Sequence, residues 1–189
     1  LTALSETCHK YGLYLFLDGA RLGYGLAAPD NDLTLPEIAA LCDVFYIGGT
    51  KVGALFGEAV VIKNPELAQD FRYLIKQNGG MLAKGRLLGL QFDALFTDGL
   101  YQEISAHAIA MAEKLREAFT AKGYNYLAPN RTNQIFVIVP DAHLAKISEQ
   151  FEYSYDQRID ATHSCVRFCT SWATKEENVD ALIRCVEKL

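Results

Sequence analysis

Phe45-Tyr46-Ile47-Gly48-Gly49-Thr50-Lys51-Val52-Gly53-Ala54, read together with Leu13-Tyr14-Leu15-Phe16-Leu17-Asp18-Gly19-Ala20-Arg21, decides the fold. Each stretch opens with a short run that is apolar on both faces and closes in glycines and charged residues. A strand can dispense with polar alternation when helices cover it above and below, which is the setting of a mostly parallel α/β sheet. The polar ends of such strands lie along one edge of the sheet, and open α/β folds bind ligands at that edge. A carboxylate (Asp18), a guanidinium (Arg21) and an amine (Lys51) are therefore predicted to meet there.

Working outward, Leu1, Leu4, Cys8 and Tyr11 stand at helical spacing, which predicts a helix over 1–10. Strands are expected over 12–18, 44–47 and 58–63, the last turned back after the glycine-bounded loop 53–57. Helices are expected over 35–42, over 65–77 with Pro65 in the first turn, and, after the Gly79-Gly80 break, over 84–97 and 101–123. From about Asn125 the pattern becomes strand 134–139, helix 141–151, strands between 153 and 171, and a final helix 175–189. The expected organisation is thus a large α/β domain over 1–124, with helices on both faces of its sheet, and a small α+β domain over 125–189. Pro129, Asn130 and Thr132 mark the boundary. The helical opening without Met predicts that these residues belong to a longer protein.

Half of the 189 residues are hydrophobic, enough for a packed core, and the formal net charge is -5 with no Lys/Arg cluster, which excludes a nucleic-acid face. No uninterrupted apolar run is long enough for a membrane span. The five cysteines lack a CxxC pair and read as reduced thiols in a cytoplasmic protein, with no metal site.

The convergent groups suit one cofactor. A pyridinium ring draws electrons strongly while its nitrogen is protonated, and a neighbouring carboxylate in a low-dielectric site keeps it so. Asp18 has the position for that, or is a turn or helix-capping aspartate. Lys51, flanked by Gly48, Gly49 and Gly53, has the position of the amine that carries pyridoxal 5'-phosphate (PLP), or is a surface lysine. Arg21 reads as a carboxylate-binding fork or a salt-bridge partner. Arg167, in Cys165-Val166-Arg167-Phe168-Cys169, needs an anion, either a structural carboxylate or that of an amino-acid substrate. His9, His107, His143 and His163 are scattered and build no hydrolase triad. Gly85 and Gly89 are spaced for a close helix contact, within the chain or between subunits.

Leu17-Asp18-Gly19-Ala20-Arg21-Leu22, the lysine in Gly49-Thr50-Lys51-Val52-Gly53-Ala54, the Gly79-Gly80-Met81 break and Val166-Arg167-Phe168-Cys169-Thr170-Ser171-Trp172 together resemble the threonine aldolase and β-eliminating lyase group of fold-type I PLP enzymes. The resemblance covers essentially the whole chain. It implies that Lys51 binds PLP covalently, that Asp18 pairs with the pyridine nitrogen, that Thr50 and Arg21 border the cofactor, and that Arg21 and Arg167 hold the substrate carboxylate. It further implies cleavage of L-threonine or a related β-hydroxy-α-amino acid, with an aminotransferase or a β-eliminating lyase as alternatives, and a homodimer or homotetramer. Leu82 stands where the family often has an arginine. The family's phosphate cradle and ring-stacking histidine lie outside this sequence, so the 189 residues alone are expected to be inactive. A third alternative is a module without enzymatic function.

Overall fold

The computed structural model describes residues Leu1–Leu189. They fall into two compact units, Leu1–Leu26 with Asn31–Gln102, and Ala27–Asp30 with Glu103–Leu189.

The first unit begins with α1 (Thr2–Lys10). It stops at Gly12, whose φ of 65° only glycine adopts without strain, while the Gly12 and Leu13 amides return to the carbonyls of His9 (3.0 Å) and Cys8 (2.9 Å). The chain continues through β1 (Phe16–Leu17), α2 (Leu22–Leu26), α3 (Leu35–Leu41), β2 (Val44–Gly48) and β3 (Glu58–Ile62). Helix α3 starts with Pro36 in its first turn. The Glu37 carboxylate accepts from both the amide and the hydroxyl of Thr34, each at 2.7 Å. The sheet order is β1-β2-β3. β1 runs parallel to β2 with Phe16 opposite Val44 and Leu17 opposite Phe45, and β3 is antiparallel to β2, turned back by the 53–57 loop as expected. Four short segments follow: α4 (Pro65–Ala68), α5 (Phe71–Gln77), α6 (Arg86–Phe96) and a 3-10 turn (Thr97–Gly99). Phe45, Ile47, Val52, Tyr24, Tyr101 and Ile38 are buried in this unit.

Helix α7 (Leu100–Ala121) starts in the first unit and ends in the second, so the compact units divide at Gln102, whereas the change of sequence texture lies near Tyr124. The second unit continues with β4 (Asn125–Tyr126), β5 (Gln134–Pro140), α8 (Asp141–Ile147), β6 (Ser154–Arg158), β7 (His163–Cys169) and α9 (Glu176–Glu187). Its sheet has the order β4-β5-β7-β6, antiparallel throughout. Strand β5 alternates buried and half-buried residues along its whole length, the signature of one face turned to a core. That face, Ile135, Val137 and Val139 with Val166 and Phe168 of β7, packs against Met111, Ala112, Leu115 and Phe119 of α7, and Val179, Leu182 and Val186 of α9. The Phe119 ring lies 5.3 Å from that of Phe168 and is fully buried. Phe119→Ala is expected to destabilise this unit by about 3–5 kcal/mol, read by urea unfolding, because a rigid core cannot close over the void.

Three expectations change and two elements are added. The strand over 12–18 reduces to Phe16–Leu17 because β1 pairs with β2 alone and the ladder between them is two residues long. The helix over 65–77 breaks into α4 and α5, since Asp70 takes a left-handed φ of 56° that no helix accommodates. The helix over 141–151 ends at Ile147. Helix α2 and strand β4 are additions too short to leave a periodic signal. No helix is long and apolar enough to cross a membrane, and all five cysteines are free thiols.

Candidate active site

Parallel pairing of β1 with β2 carries the register one step past Leu17 and Phe45, and so sets Asp18 beside Tyr46 on the same face of the sheet. The Tyr46 phenol donates to Asp18 Oδ1, and the Ala20 amide donates to the same oxygen at 3.1 Å. Asp18 Oδ2 accepts no hydrogen bond. The Tyr46 phenol above all, then the Ala20 amide and the positive charges of Lys51 and Arg21, hold the Asp18 carboxyl below its ordinary range. The aspartate in turn pushes Tyr46 up to about 12, since a phenolate would lose that hydrogen bond and face a second negative charge.

The segment carrying Lys51 is pinned from beneath. Tyr24, buried, donates to the Lys51 carbonyl at 2.5 Å. Tyr101, also buried, donates to the Gly48 carbonyl at 2.9 Å and accepts from the Gly23 amide at 3.1 Å. Burial pushes the Tyr101 phenol up to about 12, so it remains a donor at every physiological pH. The Gly49 amide donates to Glu58 Oε2 at 2.5 Å, and the Val52 and Ala54 amides return to the Gly49 carbonyl at 2.9 and 3.0 Å. Gly53, with φ 94°, closes the turn. The backbone around Lys51 is therefore fixed while its side chain is exposed and makes no ion pair.

The glycines around the site are closely packed. A Cβ on Gly48 would stand 2.4 Å from the Ala20 carbonyl oxygen, and one on Gly49 would stand 2.7 Å from the Gly57 carbonyl oxygen and 2.7 Å from the Phe92 ring. A Cβ on Gly19 would fall 1.7 Å from the Tyr46 carbonyl oxygen. Gly19 and Gly48 let the ends of β1 and β2 approach each other, and Gly49 lets the chain pass close to Gly57 and Phe92. Gly89 has nothing within 4 Å of a Cβ and a Cβ on Gly85 would meet the Leu82 carbonyl oxygen at 3.3 Å, so neither seats a neighbouring helix of this same chain.

Of the residues singled out in the sequence, Asp18, Arg21, Thr50 and Lys51 all belong to the first unit. Arg21, half-buried, precedes α2 and makes no ion pair; its charge and that of Lys51 both act on Asp18. The Thr50 hydroxyl donates to the Gly57 carbonyl at 3.4 Å. Contrary to the low-dielectric setting expected for it, Asp18 is exposed, as is Phe16 (58%) on the same face of the sheet.

Arg167 belongs to the second unit, on the face of β7 turned from the core. Nη1 donates to Gln134 Oε1 at 3.2 Å and Nη2 to Ser154 Oγ at 3.4 Å, while Nε is buried without a partner. It forms no ion pair with a carboxylate, and it borders a cavity of about 390 Å³ together with Glu152, Ser154, Cys169, Thr174 and Asn178. His163 is engaged within its own hairpin by Asp160 at 3.1 Å.

Sequence reading missed the three tyrosines. Tyr46 was legible in principle, since its parity on β2 matches that of Asp18 on β1. Tyr24 and Tyr101 reach the Lys51 segment from 27 and 53 residues away, and no local pattern marks them.

The profile of the family described as Beta-eliminating lyase matches residues 1–142. The chain belongs to that family. This β-eliminating lyase family member is 32% identical over 186 residues to the low specificity L-threonine aldolase of Pseudomonas sp. (strain NCIMB 10558), an alignment covering 96% of this chain and 52% of that protein. The solved structure of Leishmania major threonine aldolase is 42% identical, with a TM-score of 0.96 over 99% of this chain and 55% of that one. Serine palmitoyltransferase of Sphingomonas wittichii, 16% identical, shares the fold with a TM-score of 0.70, covering 100% of this chain and 50% of that one. The family member described here has the architecture of fold-type I PLP enzymes, and it spans about half the length of the curated relatives it matches.

Proposed function

We propose that the full-length protein containing this chain is a PLP-dependent carbon–carbon lyase that cleaves L-threonine, or a related β-hydroxy-α-amino acid, to glycine and an aldehyde. The observation that carries this reading is the convergence, in a member of the β-eliminating lyase family, of an unpaired amine on a pinned turn and a carboxylate with one unclaimed oxygen. Those groups fit PLP. Lys51 offers the nucleophilic amine that holds the cofactor covalently, and Asp18 Oδ2 is free to keep a proton on a ring nitrogen. When bound, PLP supplies an electron sink for breaking the Cα–Cβ bond.

The remaining work falls to the chain. Arg21 and Arg167 each bring a guanidinium without a carboxylate partner, suited to holding the carboxylate of an amino acid in a two-pronged hydrogen bond. Thr50, next to Lys51, borders the cofactor. The buried tyrosines beneath the turn keep Lys51 from drifting out of reach, since a misplacement of 1 Å costs heavily in rate. The free thiols accord with work in the cytoplasm, and the exposed apolar residues Leu55, Leu87 and Leu90 with a homodimer or homotetramer.

Product analysis tests the reaction. The full-length protein with PLP and L-threonine is expected to give glycine and acetaldehyde in equal amounts. Pyruvate and ammonia from serine, or amino transfer to a keto acid, without glycine formation would move the reading to β-elimination or transamination, which the family match keeps as the alternative. Arg167→Gln is expected to raise KM for L-threonine by about 10- to 100-fold with a smaller change in kcat, because it removes binding of a carboxylate that does not itself react. An unchanged KM would sink that role for Arg167.

A further inference from the structure

Asp18 carries both of its hydrogen bonds on one oxygen. The Ala20 amide, two residues on in the same turn, and the Tyr46 phenol, from the neighbouring strand, both end at Oδ1. Two donors from different directions fix the plane of a carboxylate that one donor would let rotate. The Tyr46 ring is itself braced by the Phe16 ring, 6.1 Å away at 39°, on the face of the sheet that Asp18 shares. The charged groups around the pair are Lys51 and Arg21 near Asp18, and Glu58 of β3 near Tyr46.

We propose that Tyr46 is a positioning residue: with the Ala20 amide it holds Asp18 so that Oδ2 is the oxygen offered to a protonated pyridine nitrogen, and its hydrogen bond draws off part of the carboxylate's charge. The proposal rests on the PLP reading above. A carboxylate that shares its charge with a phenol is a weaker base, so it competes less for the ring-nitrogen proton than an unassisted aspartate does. Tyr46 thereby leaves that proton on the ring nitrogen, which sustains the ring as an electron sink, as well as orienting its partner. The hydrogen bond that the phenol donates is strong because its acceptor is ionised.

Tyr46→Phe keeps the ring and its contact with Phe16 while removing the donor. In the full-length cofactor-free protein, with 13C-labelled aspartate carboxyls and Asp18 assigned by its loss in Asp18→Asn, the Asp18 titration midpoint is expected to move up toward the ordinary carboxylate range. In a PLP titration followed by visible absorption, Tyr46→Phe is expected to raise Kd about 5- to 10-fold, and to cause no further loss in an Asp18→Asn background. A midpoint that stays put, or an equal loss of affinity in both backgrounds, overturns the proposal. Failure of the wild-type protein to take up PLP at all overturns instead the cofactor reading on which it rests. Circular dichroism of each variant checks that the fold is intact.

Discussion

Lys51→Ala in the full-length protein is expected to lower threonine cleavage by on the order of a thousandfold or more and to remove the visible absorption of lysine-bound PLP. Stability is expected to change by no more than about 0.5 kcal/mol, because the side chain is exposed and unpaired. The hydrogen bond that pins this position uses the Lys51 carbonyl, which the substitution leaves in place. Lys51→Arg separates charge from nucleophilicity. A guanidinium keeps the positive charge near Asp18 but stays protonated at neutral pH and cannot serve as the amine, so this variant is expected to be as inactive as the alanine. A visible band that survives either substitution would show that the cofactor is held by another residue.

Gly19→Ala carries the largest expected effect on folding, on the order of 3–5 kcal/mol or complete failure of the first unit to fold. The added methyl would sit 1.7 Å from the Tyr46 carbonyl oxygen and 2.9 Å from its carbon, and both are backbone atoms that no rotamer change can move. Relief requires the ends of β1 and β2 to part, which breaks the 2.9 Å hydrogen bond from the Gly48 amide to the Gly19 carbonyl and pulls Asp18 from Tyr46. Gly25→Ala is the control. Gly25 lies in α2 with nothing within 4 Å of a Cβ, so alanine there is expected to be neutral or mildly stabilising. Equal urea midpoints for the two variants would refute the close approach of the strand ends.

The fold was legible where a long local pattern matched a long element. Strand β5 and helices α7 and α9 lie where alternation or helical spacing predicted them, with boundaries shifted by one or two residues at most ends. It was illegible where the deciding term was not local. Apolar residues 13–17 read as one strand, yet β1 is two residues long because strand length depends on which neighbours pair with it. Residues 65–77 read as one helix, yet Asp70 takes a left-handed turn in the middle.

The site divides the same way. Charged side chains placed directly after apolar runs are a sequence property, so Asp18, Arg21 and Lys51 could be named and their shared neighbourhood anticipated. That inference needs only the rule that parallel strands end along one edge. Which oxygen of Asp18 is taken, which tyrosines hold the lysine turn, and why Gly19 and Gly48 tolerate no side chain depend on distances between residues far apart in the chain. Periodicity records which face of an element is apolar; it holds no record of the atoms that face meets, and hydrogen bonds and steric contacts are set by those atoms alone.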